Sequence, residues 1–211
     1  MLQKNHLRVT IGSRSYDQRN AMPQKTFISA QQLLEDSFAL SAKILDDGFR
    51  PSVIIALWRG GTPIGIAVQE SLEYHGISSD HIAIRTSSYV GIDGRSNEIR
   101  IHGLSYVIKN IKHTDRLLIV DDVFDTGRTI EALLTTLQTK ARLNTPRDIR
   151  IAVPYYKPAR NQTGLVPDYY LHETNAWLKY PHSLEGLSHA EVAEHRPDLF
   201  KIIKKHLKSE D

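Results

Sequence analysis

Leu117-Leu118-Ile119-Val120-Asp121-Asp122-Val123-Phe124-Asp125-Thr126-Gly127-Arg128-Thr129 is the decisive stretch of this 211-residue chain. Residues 116–120 read as a strand buried on both faces, because the apolar run is continuous and does not alternate with polar residues. Two adjacent carboxylates follow, then a Gly-containing loop that enters a helix. That helix carries Ile130, Leu133, Leu134 and Leu137 on a single face. Strand, loop and helix in this order assemble an anion site. The backbone N–H groups of residues 125–129, the hydroxyls of Thr126 and Thr129 and the positive end of the helix dipole can converge on one phosphate. Gly127 permits the close backbone approach. The spaced glycines and the Lys-Ser or Lys-Thr pair of a Walker loop are missing, as is GxGxxG, so ATP and NAD fit poorly.

Working outward, the same alternation recurs. Ser29 with Gln32 reads as a capping-box start, and Leu33, Leu34, Phe38, Ser41, Ile44 and Leu45 follow on one helical face until Gly48. Val53–Trp58 is a second buried strand, bounded by Pro51 and by Arg59-Gly60-Gly61, and Thr62 and Pro63 suit the N-cap and first turn of a helix reaching about Tyr74. Residues 81–86 read as a strand, 98–102 and 104–108 as a hairpin around Gly103, and 149–153 as a further strand. The pattern predicts an α/β fold, a mainly parallel twisted sheet flanked by helices, with ligands beyond the carboxyl ends of the strands. After Pro154, aromatics, prolines and histidines crowd the chain up to His182, and 168–172 is the only strand-like piece, which predicts a small hood or lid. Ser188 with Glu191 forms a second capping box, and Leu199, Phe200, Ile203 and Leu207 read as a closing amphipathic helix with a solvated lysine-rich face.

Composition narrows the function classes. Lys plus Arg at 27 against Asp plus Glu at 24 gives a net charge of +3, a slight excess that argues against nucleic acid as a partner. No cysteine is present, which excludes disulfides and thiolate chemistry and agrees with a cytoplasmic location. The polar start of the chain lacks the apolar stretch of a secretory signal, and no apolar run approaches the roughly 20 residues that cross a bilayer, so a membrane is not an expected partner. Ten histidines without HExxH or compact ligand spacing predict no zinc site.

Asp121 and Asp122 beside a bound phosphate need hydroxyls or a metal. A ribose 5-phosphate answers that need, its 2- and 3-hydroxyls donating to the acidic pair while the loop takes the phosphate. A bare Asp-Asp pair would read as a solvated strand end, but here it is joined to a buried strand and a phosphate loop. At these residues the chain resembles the type I phosphoribosyltransferase family. The family's diphosphoribose signature is an apolar strand, two acids, two apolar residues, Asp-Thr-Gly, and a small or basic residue before Thr. VDDVFDTGRT matches throughout, and order and spacing agree from about Val53 to about Trp177. An Asp-Asp in place of Glu-Asp, and Arg128 where Lys or Gly is common, are departures from the pattern.

The resemblance implies one phosphoribosyltransferase domain over residues 1–211, with a core at about 29–153, a base-binding hood at about 154–187 and a C-terminal helix at 188–208. It implies that Asp121, Asp122, Asp125, Thr126, Gly127, Arg128 and Thr129 hold the ribose 5-phosphate end of 5-phosphoribosyl-1-diphosphate. Arg59 and Gly60 would belong to a pyrophosphate loop, often with a cis peptide, and Ser88-Tyr89 to a mobile loop that closes over the reaction. Lys157 would donate to the exocyclic oxygen of a 6-oxopurine, Trp177 would stack on its ring, and Leu178 would offer backbone contact at the far edge. Asp125 would exchange a proton with the base, its other possible role being to cap the following helix. Mg2+ would be held mainly by the diphosphate and sugar hydroxyls, with waters bridging to Asp121 and Asp122. The implied activity is purine salvage, the transfer of ribose 5-phosphate to hypoxanthine, guanine or xanthine, by a homodimer or homotetramer. Two alternatives stay open: a regulator of the same fold that senses the diphosphoribose ligand and binds nucleic acid, and a phosphoribosyltransferase for another base.

Overall fold

The computed structural model describes residues 25–90 and 97–207, with only the backbone of residues 88–90 and 97–98. In chain order the elements are β1 (Lys25–Phe27), α1 (Ala30–Asp46), β2 (Val53–Trp58), α2 (Gly61–Tyr74), β3 (Asp80–Val90), β4 (Asn97–His102), α3 (Ser105–Asn110), β5 (Arg116–Val120), β6 (Val123–Phe124), α4 (Arg128–Ala141), β7 (Asp148–Tyr156), β8 (Tyr169–Glu173), β9 (Trp177–Lys179), α5 (His189–His195) and α6 (Pro197–Ile203). The main sheet runs β4-β3-β2-β5-β7-β6, with β8 also against β7, and all its pairings but β3 with β4 are parallel. This is the expected α/β architecture.

The continuous apolar strands bury both faces. Ile54, Leu118 and Val120 point to a core with Leu40, Ile44, Ile64 and Val68 of α1 and α2. Their neighbours Ile55, Leu57, Leu117 and Ile119 point the other way, to Val107 of α3 and Ile130, Leu133 and Leu137 of α4.

Several expectations need correcting. The Ser29 hydroxyl does accept from the Gln32 N–H, but the Gln32 side chain donates to Asp36 instead of closing the box. The buried face of α1 is Leu33, Asp36, Ser37, Leu40, Ser41 and Ile44, while Leu34 and Phe38 are exposed. Residues 104–108 are no hairpin arm: β4 pairs with β3, and α3 follows, burying Leu104, Val107 and Ile111 at helical spacing. The closing segment is two short helices, α5 and α6, parted at Arg196 and Pro197. Pro154 does not end β7. The strand runs on to Tyr156: β8 pairs on either side of Pro154, and on the other edge, which Pro154 faces without an N–H, pairing stops at Ala152 and starts again with β6 at Tyr155.

The hood departs further from expectation. The strand near residue 170, β8, joins the main sheet, and β9 instead pairs in parallel with β1 from the start of the described chain. The Ile28 N–H donates to the Lys179 carbonyl at 3.0 Å. Trp177 and Lys179 therefore turn their backbone groups towards β1, and Leu178 turns its own to the strand's other edge.

Candidate active site

The acidic pair sits where the sheet lapses. β5 and β6 pair with β7 in one register, Val120 opposite Ala152 and Val123 opposite Tyr155, and Asp121 and Asp122 occupy the gap between them. The Asp122 N–H donates to Asp121 Oδ1 at 2.9 Å, and the Tyr180 hydroxyl donates to the Asp122 carbonyl at 2.8 Å. Burial, reinforced by the Asp122 charge, lifts the Asp121 carboxyl well above the usual range. Burial likewise pushes Asp122 up to about 6, with its hydrogen bonding to Asp121 and the field of Lys157 pulling the other way. Ionising both acids is thus costly without an added cation or donor.

Gly60 and Gly61 lie directly on this pair. A Cβ on Gly60 would stand 1.9 Å from Asp122 Oδ2, and one on Gly61 would stand 2.5 Å from the Val120 carbonyl oxygen. The Trp58–Arg59 peptide is cis. Helix α2 begins at Gly61 with Gly60 as N-cap, which corrects the expected start at Thr62; Thr62 lies in the first turn, its hydroxyl buried without a partner. Arg59 reaches outward and pairs with Glu185 of the hood at 2.7 Å, both side chains largely exposed.

The loop after β6 has the expected form. Gly127 adopts φ +77° and forms the N-cap of α4. A side chain there would also strike Thr163 Oγ1 at 2.5 Å and the Phe124 ring at 2.8 Å. A cavity of about 210 Å3 is lined by residues 121–127 with Thr129 and Ile130. The Arg128 side chain is exposed and lies instead in a groove with Ile99, Glu131 and Thr135, so only its backbone is near the loop cavity.

Asp125 does not cap the helix, since no side chain bonds at the α4 N-cap. Its carboxylate is gripped by two cations: Lys157 Nζ donates to Oδ2 at 3.1 Å, and Arg160 Nε forms an ion pair with Oδ1 at 2.7 Å without an aligned hydrogen bond. Lys157 is buried and Arg160 is mostly exposed. These groups open into a second cavity of about 420 Å3, walled by Val123, Trp177, Leu178 and Tyr180 and edged by Asp125, Lys157, Arg160 and Asn175. Val123 and Asp125 border both cavities. Trp177 is 47% exposed and its indole lines this second cavity. Lys179 turns inward, its Nζ 4.7 Å from the Trp177 ring centroid and donating to the Glu185 carbonyl at 2.7 Å; burial lowers its pKa.

Lys157, Asp125, Trp177 and Leu178 are therefore brought together, and Asp121, Asp122, Thr126, Gly127 and Thr129 form the adjoining cavity. Arg59 stands apart from both linings. Ser88 and Tyr89 fall in β3 with their backbones opposite Ile99 and Glu98; their side chains, and residues 91–96 of the expected mobile loop, lie outside the described residues. Arg160, Asn175 and Tyr180 were not anticipated. The Lys-Pro-Ala-Arg spacing held a signal for the first, because a 3₁₀ turn with the Arg160 N–H on the Lys157 carbonyl sets the two cations side by side.

The family model described as phosphoribosyl transferase domain matches residues 24–182. The chain belongs to that family. This phosphoribosyltransferase is similar to the hypoxanthine-guanine phosphoribosyltransferase of Lactococcus lactis, 26% identical over 148 residues covering 69% of this chain and 74% of the relative. It is also similar to that of Streptococcus pyogenes, 27% identical over 147 residues, 69% of this chain and 76% of the relative. Among solved structures, a purine phosphoribosyltransferase from Pyrococcus horikoshii matches with a TM-score of 0.60 and 28% identity, over 78% of this chain and 97% of its own. The Helicobacter pylori xanthine-guanine-hypoxanthine phosphoribosyltransferase shares the fold, with a TM-score of 0.58 and 23% identity, over 87% of this chain and 100% of its own. Among the described residues no helix is long and apolar enough to cross a membrane, and no group of three or more His, Cys, Asp or Glu could hold a metal ion.

Proposed function

We propose that this phosphoribosyltransferase moves ribose 5-phosphate from 5-phosphoribosyl-1-diphosphate to a 6-oxopurine, releasing pyrophosphate and the nucleoside 5'-monophosphate. The observation that carries the reading is the pair of cavities meeting at Asp125. The loop cavity has the amides and hydroxyls for a sugar phosphate, and the neighbouring one offers a buried ammonium, a half-exposed indole and a free strand edge for a flat heterocycle. The Lys157 ammonium can donate to an exocyclic oxygen but cannot accept from the amine of adenine, which favours the 6-oxo bases. The purine named in the relatives' descriptions agrees.

In the transfer, the bond from the sugar C1 to the diphosphate oxygen breaks with its electron pair leaving on pyrophosphate. The new bond forms to a ring nitrogen of the base, and the proton of the five-membered ring goes to Asp125. Asp121 and Asp122 accept from the ribose hydroxyls, and the loop fixes the sugar so that base and C1 meet in line. Their raised proton affinity and their oxygen-only character suit a hydrated Mg2+ ion. Two carboxylates are too few for a protein-only site, which fits an ion carried mainly by the diphosphate, where it would neutralise departing charge. Arg59 and Gly60 lie at the strand end where pyrophosphate would leave, and Arg59 must release Glu185 to take part. The homodimer or homotetramer and the closing loop with Ser88-Tyr89 stand as parts of the same reading. Incubation with magnesium, the activated pentose and hypoxanthine, guanine, xanthine, orotate or uracil in turn, followed by separation of products, tests it. Nucleotide and pyrophosphate should appear with the 6-oxopurines; binding of the pentose without turnover of any base would instead favour a sensor.

A further inference from the structure

Tyr180 meets the two cavities with two chemically different parts of one side chain. Its ring walls the base cavity, and its hydroxyl donates to the carbonyl of Asp122, which lines the other. A wall alone needs only the ring, and Phe would supply that. Asp122 lies in the gap between β5 and β6, so no strand pairing fixes its carbonyl, and a hood side chain does so instead. The N–H of the same residue donates to Asp121 Oδ1 at 2.9 Å, and its carboxyl lies against Gly60. Turning the Asp122 backbone therefore moves both acids at once.

The phenol is itself firmly placed. Tyr180 is buried, edge-on to Tyr155 with ring centroids 6.2 Å apart and parallel to His182 at 5.7 Å. Arg196 donates to its carbonyl at 2.6 Å, and the Tyr155 hydroxyl is tied to the buried Asp36 at 3.1 Å. Burial and the fields of Asp122 and Asp121 hold the phenol proton on, which keeps the hydroxyl a donor.

Resting on the reading of Asp121 and Asp122 as acceptors of the ribose hydroxyls, we infer that Tyr180 is a positioning residue for the pentose. Through the Asp122 carbonyl its hydroxyl sets how the acidic pair meets the sugar, while its ring serves the base cavity separately.

The test compares the wild type with Tyr180→Phe and Tyr180→Leu, well below their melting temperatures. Calorimetry with magnesium gives Kd for 5-phosphoribosyl-1-diphosphate, and nucleotide synthesis gives KM for hypoxanthine and guanine. Tyr180→Phe should weaken pentose binding by about three- to tenfold, the worth of one hydrogen bond, and leave KM for the bases within about twofold. Tyr180→Leu, which also removes the ring, should weaken both. A Tyr180→Phe that melts lower but binds the pentose as the wild type does would make the hydroxyl a structural bond only and overturn the inference. Equal changes for pentose and base in Tyr180→Phe would overturn it too, since ring and hydroxyl would then not act separately. Should Tyr180→Leu not fold, Tyr180→Phe decides alone. A wild type that makes nucleotide while Tyr180→Phe keeps its pentose Kd sinks this inference and spares the transferase reading; a wild type that does not bind the pentose sinks both.

Discussion

Asp125→Asn keeps the size of the side chain and removes its charge and its ability to take a proton. At 3.1 Å from Lys157 Nζ, the ion pair has a gross Coulomb energy of about 5 kcal/mol at an effective dielectric of about 20. Asp125 is 30% exposed, and Asn still offers an oxygen to the buried ammonium, so water and the amide return most of it. The net loss should be about 1–2 kcal/mol, which for a chain of this size lowers the melting temperature by roughly 3–6 °C. The catalytic loss is of another order. Removing a general base typically slows turnover by about a hundred- to ten-thousand-fold. Circular-dichroism melts and steady-state nucleotide synthesis, run on the same preparation well below the melting point, separate the two. Adding Lys157→Met should recover stability, since the unpaired ammonium is gone, and should not recover turnover. If Asp125→Asn keeps more than a tenth of wild-type kcat, or if Lys157→Met rescues activity along with stability, Asp125 is an ion-pair residue and not the proton acceptor.

The Asp122 carboxyl gives a pH signature whose sign can be worked out. Its folded pKa, about 6, lies above the unfolded value near 4, so the native state holds more protons in that window and the group's contribution to stability is lost as pH rises through 6. Asp122→Asn should therefore melt higher than the wild type at pH 7.5, by about 1–3 kcal/mol at most, with the difference shrinking towards pH 4; a variant that melts lower at pH 7.5 would contradict the burial argument. Gly60→Ala drives a methyl into the Asp122 carboxylate, 1.9 Å from Oδ2 and 2.2 Å from Cγ, and should cost about 1–3 kcal/mol and raise KM for the activated pentose. Unchanged melting and KM would mean the loop is free to shift. Trp177→Ala should raise KM for the base by roughly ten- to a hundred-fold, the worth of one stacked ring, and by more than it raises KM for the pentose; equal changes in both would remove Trp177 from the base platform.

What could be read from sequence follows from how local each signal is. The strand 116–120, its acids and the Gly127 loop are contiguous, so hydrophobic continuity, charge and turn chemistry all spoke in one stretch. Helix α4 was legible for the same reason: Ile130, Leu133 and Leu137 are buried, and Leu134 lies at their margin. Short apolar runs were ambiguous. Residues 104–108 have the length of a strand, and only the burial of Leu104, Val107 and Ile111 distinguishes the helix. On α1, Leu34 and Phe38 drew the apolar face one step round, because the true face includes Asp36, Ser37 and Ser41. Those polar residues are buried where partners exist: Ser41 bonds to Ser71, and Asp36 accepts from Gln32, Tyr155 and His172. Apart from Gln32, one helical turn away, these partners are 30 to 136 residues away in sequence, beyond the reach of any periodicity. The pairing of β1 with β9 is of the same kind, and with it the cavity roles of Asn175 and Tyr180.

That pairing explains why the proposed base side of the site is built so differently from the proposed phosphate side. The loop after β6 is fixed by a seven-stranded sheet and a 14-residue helix, whereas β1 and β9 are three residues each. Side-chain ties from distant elements hold the hood together: Lys25 bonds to Glu191 and the Gly186 carbonyl, Phe27 stacks on His195, and Arg196 donates to the carbonyls of Tyr180 and Ser183. Tyr180 in turn donates to the Asp122 carbonyl, the hood's direct hydrogen bond to the acidic pair. On the proposed reading, the sugar-phosphate loop is backed by the main sheet, and the base cavity stands beside a two-stranded pair tied down mainly by side chains. If the proposed reading holds, Arg59 can exchange its exposed contact with Glu185 for the diphosphate without any change in the sheet beneath.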